Sequence, residues 1–181
     1  MDVGDDEPAH LYSCDVLRKA KQERQDMLLG VTSTNIFESL WLMKYNSQYE
    51  GAIRFIGLDP LIVHYWTREQ FALYKKYHTI YIDATGSLIK KIKLPNGELC
   101  SHIYLYQAVV QVAENTAPIF QMISISQNTN TILFWLQEFL RTGAMQNSSF
   151  PSPKEIVTDF DKALLGAVAR AFVIMLLYMI I

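Results

Sequence analysis

Two aspartates, Asp83 and Asp159, each stand at the end of a short, mainly apolar run of this sequence. Carboxylate oxygens are hard ligands suited to Mg²⁺ or Mn²⁺, and proteins commonly hold these ions with one or two carboxylates plus phosphate and water. Two such ions can stabilise the attacking and leaving oxygens of a displacement at phosphorus. The pattern predicts a divalent-metal site, provided that the two runs are neighbouring parallel strands.

Each aspartate also has a purely structural interpretation. Asp83 can be a turn-forming acid before Gly86, and Asp159 can be a helix-entry acid beside Asp161. Asp161 is in addition an alternative ligand to Asp159. The arrangement of the two strands decides between these interpretations.

The composition is that of a globular protein. The 181 residues are 50% hydrophobic and 19% charged, enough for one ordinary domain with a core, or one domain plus a helical arm. The net charge of −2 gives no overall attraction to nucleic acid, so DNA contact would depend on local basic patches. Cys14 and Cys100 form no C-x-x-C pair, which argues against a zinc knuckle or a disulfide framework.

The first part of the sequence combines helical and hairpin patterns. Apolar residues at helical spacing predict helices over 13–29 and 33–44, the second capped by Thr34 or Asn35. Two apolar runs separated by Gly57-Leu58-Asp59-Pro60 predict a β-hairpin, and Thr67 caps a helix that ends near Tyr77. The predicted hairpin strands are 53–56 and 61–66.

From Thr79 onward the pattern is that of an α/β sheet. Three consecutive strands, a fourth strand, a helix, a fifth strand and a helix follow one another, which is the order of a ribonuclease H-like core. Asn96-Gly97 predicts a hairpin turn, Gly143 predicts a helix C-cap, and 147–154 predicts a surface loop. The predicted strands are 79–84, 87–94, 102–112, 119–125 and 155–158, and the predicted helices are 128–141 and a last one opened by Asp161.

Lysines accompany the predicted Asp83 strand. Lys91 and Lys93 share a face by strand alternation, and Lys75 and Lys76 end the preceding helix. Because phosphate contacts are made mainly by Lys and Arg, Lys91 and Lys93 are candidates for contacts with a DNA backbone. A solvated edge is the alternative interpretation.

Several segments together resemble the transposase domain of Mutator-like (MULE) DNA transposons, over roughly residues 53–172. The resemblance rests on residues 81–87 with the lysine-containing stretch after them, 114–118, the Trp135 helix and 158–164. It implies an acid-triad domain for metal-dependent DNA cleavage and transfer, in which Asp83 and Asp159 are the first two metal-binding acids. It also implies Mg²⁺ or Mn²⁺ as cofactor, transposon-end DNA as partner, a homo-oligomer as a candidate assembly and a nuclear location.

The sequence departs from that family pattern in two respects. The family's third acid is a Glu far downstream, whereas no Asp or Glu follows Asp161 here, and the zinc-binding module that often precedes such domains is absent. We therefore expect a catalytically incomplete transposase core, with a non-enzymatic transposon-derived DNA-binding or interaction module as the alternative. The expected division is a disordered acidic tail (1–12), a helical and hairpin segment (13–78), a partial ribonuclease H-like core (79–172) and an apolar tail (173–181).

The C-terminal stretch 163–181 has Arg170 as its only charge. The helical pattern up to Phe172 belongs to the predicted fold, so we expect the apolar remainder to reflect a truncated reading frame. A membrane tail anchor is the alternative.

Overall fold

The computed structural model describes residues 13–29, 35–45, 51–86, 89–146, 152–159 and 161–178. The predicted acidic tail 1–12 lies outside the described residues, as do most of the loop 147–154 and the last three residues of the apolar tail. The chain divides into two compact units, residues 1–50 and 51–181. The predicted boundary between residues 78 and 79 falls inside the second unit.

The first unit contains the two predicted helices, α1 (Cys14–Leu29) and α2 (Ile36–Tyr45). Asn35 caps α2, since its Oδ1 accepts hydrogen bonds from the N–H groups of Phe37 and Glu38 at 3.0 and 3.2 Å. Both helices and the Asn35 cap are confirmed.

The described strands of the second unit form one six-stranded mixed sheet flanked by helices. The spatial order is β1-β2-β5-β4-β3-β6, in which every neighbouring pair is antiparallel except the parallel pair β3 and β6. The predicted mixed α/β fold is confirmed, and its strand order is consistent with a ribonuclease H-like core. The elements are β1 (Ile53–Leu58), β2 (Leu61–Tyr65), α3 (Arg68–Lys76), β3 (Thr79–Gly86), β4 (Tyr104–Val112), β5 (Asn115–Ser124), α4 (Thr129–Gln146), β6 (Glu155–Thr158) and α5 (Lys162–Tyr178).

Thr67 fixes the start of α3 as predicted. Its hydroxyl accepts the N–H of Gln70 at 3.2 Å, and the Gln70 side chain accepts the N–H of Thr67 at 2.8 Å, which is a capping box. The cap orients α3 so that Phe71 and Tyr74 enter the core.

One hydrophobic core joins helices α3, α4 and α5 to the sheet. Strand alternation decides which side chains enter it: Ile80 and Ile82 of β3 are buried, whereas Tyr81 and Asp83 between and after them are exposed. Aromatic rings fill its centre, since Phe139 of α4 stacks on Phe120 of β5 with centroids 3.9 Å apart. The face of β3 that carries Asp83 is therefore left to solvent.

The predicted strand 87–94 is wrong in its described part. Residues 89–94 form no strand; Ile92 pairs with Cys100 through backbone hydrogen bonding, and Lys93 and Leu99 form an isolated bridge around the Gly97 turn. The physical reason is that β4 and β6 occupy both edges of β3, which leaves no edge for a further strand. Ser87 and Leu88, which begin the predicted strand, lie outside the described residues.

Gly143 does not end α4, because the helix continues to Gln146. A glycine in a helix interior costs about 1 kcal/mol relative to alanine, which weakens a helix without ending it. Helix α5 likewise continues to Tyr178, beyond the predicted limit at Phe172. Within the described residues, no helix has both the length and the apolar composition needed to cross a membrane.

Candidate functional site

The site is positioned by the parallel pair β3 and β6. Their register joins Thr79 to Glu155 at one end and Ile82 to Thr158 at the other. At the start of the pair, the Lys154 N–H donates to the carbonyl of His78 at 2.8 Å, and the Thr79 hydroxyl donates to Oε2 of Glu155 at 3.1 Å. The predicted adjacency of these two strands is confirmed.

Asp83 and Asp159 each follow the last register pair, Ile82 and Thr158. Strand alternation places Asp83 on the same open face as the exposed Tyr81, and Asp159, directly after β6, lines the same groove as Asp83 and Val157. Both aspartates are exposed at the surface. The topology thus brings together the two acids that the sequence pattern singled out.

The two aspartates line one groove with a cavity volume of about 420 Å³, which we call the aspartate groove. Tyr81 and Val157 of the paired strands line the same groove, so an apolar wall accompanies the acids. The side chains from the neighbouring strand β4 are Gln107 and Val109. A groove open to solvent and bounded by carboxylates on rigid strands can admit an extended ligand to the acids.

Asp161 has a different role from Asp159. Its Oδ1 accepts the N–H of Leu164 at 2.9 Å, which caps α5, and its Oδ2 accepts from Nε2 of Gln127 at 3.5 Å. Asp159 lines the groove, and its Oδ1 accepts the N–H of Asp161 at 3.2 Å. The geometry therefore favours Asp159, rather than Asp161, as the partner of Asp83.

Gln107 is a polar groove residue that the sequence reasoning missed. It pairs with Asp83 in the register of β3 and β4, and it lines the groove. Alternation along β4 was a usable signal, because Gln107 stands between Leu105 and Val109 on the face away from the buried Tyr106 and Ala108. Its amide oxygen adds a third hard donor next to the carboxylates.

The donor set suits a hard divalent cation. Two carboxylates and an amide oxygen are ligand types that Mg²⁺ and Mn²⁺ accept, with phosphate and water completing the coordination. In the described part of the chain, no group of three or more His, Cys, Asp and Glu side chains converges on a possible metal site. The residues therefore fit a divalent cation whose remaining ligands are phosphate and water.

Lys91 and Lys93 lie in the irregular segment between β3 and β4, where both are exposed. Neither lines the aspartate groove. Because residues 89–94 are not a strand, alternation does not place these lysines on a common face. Their contact with DNA stays a prediction.

Comparison with known proteins adds a relationship to a mobile element. The chain is 36% identical over 177 residues to the 120.7 kDa protein in NOF-FB transposable element of Drosophila melanogaster. The aligned region covers 95% of this chain and 16% of that relative. No family model matches the chain, and no solved structure matches it. Almost the whole chain, including both aspartate strands, is thus similar to a short region of a transposable-element-encoded protein.

Proposed function

We propose that this is a transposon-derived protein whose aspartate groove binds Mg²⁺ or Mn²⁺ and serves metal-dependent DNA strand cleavage and transfer. The observation that carries the proposal is the parallel register of β3 and β6, with Asp83 and Asp159 lining one groove directly after the last register pair. Similarity to a protein in a transposable element supports DNA as the substrate class.

Within this proposal the protein residues hold the divalent cation and orient the phosphate. Asp83 lies on β3 and Asp159 directly follows β6, so the pairing of the two strands determines where the carboxylates lie. Gln107 supplies an amide that can ligate the cation or donate to a phosphate oxygen. The bound ions would stabilise the attacking and leaving oxygens of a displacement at phosphorus.

The resemblance to Mutator-like transposases belongs to the same proposal. It would make Asp83 and Asp159 two members of an acid triad, acting on transposon ends in the nucleus. The chain spans about one sixth of its relative, so the activity of a whole transposase is proposed here on the basis of the two acids and the fold.

A non-enzymatic transposon-derived DNA-binding or interaction module is the second candidate. It is favoured by the donor count, since the described residues bring two carboxylates, and no third, to the groove. Two carboxylates with phosphate and water are enough to hold a divalent cation, so this candidate differs from the first in strand cleavage rather than in metal binding.

Metal binding is tested by titrating Mn²⁺ into the full chain and following free Mn²⁺ by electron paramagnetic resonance. Asp83→Asn and Asp159→Asn each keep the size of the side chain and remove one charged ligand, so we expect each to weaken binding at least about tenfold. Glu114→Gln is the matched control, because this exposed acid lies in the β4–β5 turn, away from the groove. Wild-type affinity in both aspartate variants would contradict the metal site.

Strand cleavage is tested separately by incubating the chain with supercoiled plasmid DNA and Mn²⁺ and measuring nicked product. Nicking that Asp83→Asn abolishes supports the enzyme. Mn²⁺ binding without nicking supports the non-enzymatic module.

A further inference from the structure

A second cavity, of about 230 Å³, lies where β1 meets α3. We propose that it binds a phosphate group. We call it the arginine pocket, and it is lined by Arg54, Trp66, Arg68, Phe71, Ala72 and Lys75.

One stripe of α3 forms a wall of the arginine pocket. Arg68, Phe71, Ala72 and Lys75 have the i, i+3, i+4, i+7 spacing of residues that share a helix face. The capping box at Thr67 fixes where that helix begins. Two long cationic side chains are thereby placed at the two ends of one stripe, with small or apolar residues between them.

Arg54 of β1 closes the pocket from the other side. Its guanidinium lies over the ring of Trp66, with Cζ 5.5 Å from the ring centroid. The backbone N–H of Trp66 donates to the carbonyl of Ala52 at 2.9 Å, which holds this residue beside β1. The half-buried Arg54 thus packs on the Trp66 ring, and both residues line the pocket.

Among the described residues, the lining carries three cations, Arg54, Arg68 and Lys75, and no carboxylate. None of the three forms an ion pair within the described part of the chain. Glu69 interacts with Arg68 electrostatically, but its carboxylate does not line the pocket. Burial, and next the charge of Arg68, lower the pKa of Arg54. An anion in the pocket would relieve this repulsion.

Two buried donors of the pocket lack a hydrogen-bond partner among the described residues: Nε of Arg54 and Nε1 of Trp66. Buried polar groups in native proteins nearly always have a hydrogen-bond partner, so two donors without partners at one cavity need an explanation. The polar side-chain atoms of the lining, those of Arg54, Trp66, Arg68 and Lys75, are all donors. The complementary ligand is therefore an anion with several acceptor oxygens.

Phosphate meets these requirements, since its oxygens accept several bonds at once and guanidinium groups bind it in a bidentate manner. The phosphate can belong to a nucleic-acid backbone or be a free ion, and in the nucleic-acid case the inference rests on the proposed function. The pocket is a separate site: four strand spacings of about 4.8 Å, or about 19 Å, separate β1 from β3 in the sheet.

The test compares the double variant Arg68→Gln/Lys75→Gln with Lys76→Gln in the full chain. Arg68 and Lys75 are exposed, so the double variant should fold normally. Lys76→Gln is the control for the loss of one positive charge from the same helix, because Lys76 ends α3 and does not line the pocket. Arg54→Gln is a further variant, accepted only if its thermal unfolding shows a folded protein.

The first probe is inorganic phosphate, titrated calorimetrically against chloride at constant ionic strength. We expect the double variant to lose at least about tenfold in phosphate affinity and Lys76→Gln to stay within about twofold. The second probe is a duplex DNA, whose binding is followed by fluorescence anisotropy over a range of salt. Loss of a backbone contact should reduce the slope of log K against log[salt] by about 1.

A reduced salt slope in the double variant, but not in Lys76→Gln, identifies a nucleic-acid backbone as the source of the phosphate. Weaker phosphate binding with an unchanged DNA slope identifies a free phosphate. If the double variant matches Lys76→Gln with both probes, the inference is wrong. Mn²⁺ titration of the double variant should match wild type, because neither Arg68 nor Lys75 lines the aspartate groove, so a failure of the metal site and a failure of the arginine pocket are distinguishable.

Discussion

Ile82 on β3 and Thr158 on β6 are partners in a parallel register, and an aspartate follows each of them. The side-chain period of a strand is two, so a slip of one residue in β6 would move Asp159 to the opposite face of the sheet. The hydrogen bonds of Lys154 and Glu155 to His78 and Thr79 hold that register at its start. The relation between the two acids therefore depends on contacts at the far end of a short strand.

Replacing Gln107 with Glu should strengthen metal binding at the aspartate groove. A third carboxylate next to Asp83 adds a charged ligand for Mn²⁺, and we expect the affinity to rise about tenfold, or about 1.4 kcal/mol. Without metal, the added charge should lower the free energy of unfolding through like-charge repulsion. Electron paramagnetic resonance and urea unfolding measure the two effects.

The control for this change is Gln111→Glu, which adds the same charge on the same strand and the same face, outside the groove. We expect no change in Mn²⁺ affinity there. Equal gains at positions 107 and 111 would mean that general electrostatics, rather than ligation in the groove, attracts the ion.

We expect Asp161 to act as a helix-capping residue and Asp159 to act as a metal-binding residue. Asp161→Ala removes the acceptor for the Leu164 N–H, so the free energy of unfolding should fall by about 1 kcal/mol, while Mn²⁺ affinity stays within about twofold. Asp159→Asn keeps an oxygen for the Asp161 N–H, so its stability should be preserved while its Mn²⁺ affinity falls. Strong loss of Mn²⁺ binding in Asp161→Ala would reverse the assignment.

Much of this site could be predicted because its signals are local. The residue types of Thr67 and Asp161 indicate helix starts, and the apolar run that ends at Asp83 indicates a strand. The parallel pairing of β3 and β6 followed from the order of the elements. The helix starts and the strand need no knowledge of distant contacts, whereas the pairing of β3 with β6 joins distant segments and was predicted from the fold.

The features that the sequence did not predict depend on competition between distant segments. Residues 89–94 are compatible with a strand, but β6 takes the edge of β3 that they would need. Arg54 and Arg68 meet only because the β1–β2 hairpin folds back beside α3. The partner of Asp83 on β4, Gln107, likewise depends on strand register. Such outcomes are set by tertiary pairing rather than by propensity.

Phe139 should be among the most sensitive core positions. It stacks on Phe120 at 3.9 Å between centroids and makes edge contacts with Trp66 and Tyr74 at 5.3 and 5.0 Å, so it joins α3 and α4 to β5. Phe139→Ala should lower the free energy of unfolding by about 3–5 kcal/mol. Phe139→Leu, which retains much of the volume, should cost clearly less, and urea unfolding compares the two. Equal losses in the free energy of unfolding would show that the lost side-chain volume is not the main cause of the destabilisation.

His64 should make the fold sensitive to mild acid. It is fully buried between the rings of Phe55 and Phe134, each 5.2 Å from it, and neither ring nitrogen has a hydrogen-bond partner among the described residues. Burial lowers the pKa of His64 from 6.5 to about 3. The folded protein therefore keeps His64 neutral over a pH range in which the unfolded chain binds a proton.

The sign of the effect follows from that difference. Below pH 6.5 the unfolded state binds a proton at His64, whereas His64 of the folded state stays neutral down to about pH 3. The free energy of unfolding therefore falls as the pH falls through this window. Between pH 7 and pH 5 the His64 contribution should lower the free energy of unfolding by about 2 kcal/mol. Urea unfolding at the two pH values measures it.

His64→Phe should remove this part of the pH dependence, because phenylalanine fits an aromatic environment and does not titrate. Carboxylates that titrate in the same range contribute equally to both proteins, so the difference between wild type and His64→Phe gives the contribution of His64. An identical loss of stability in wild type and His64→Phe would show that His64 accepts its proton inside the folded protein.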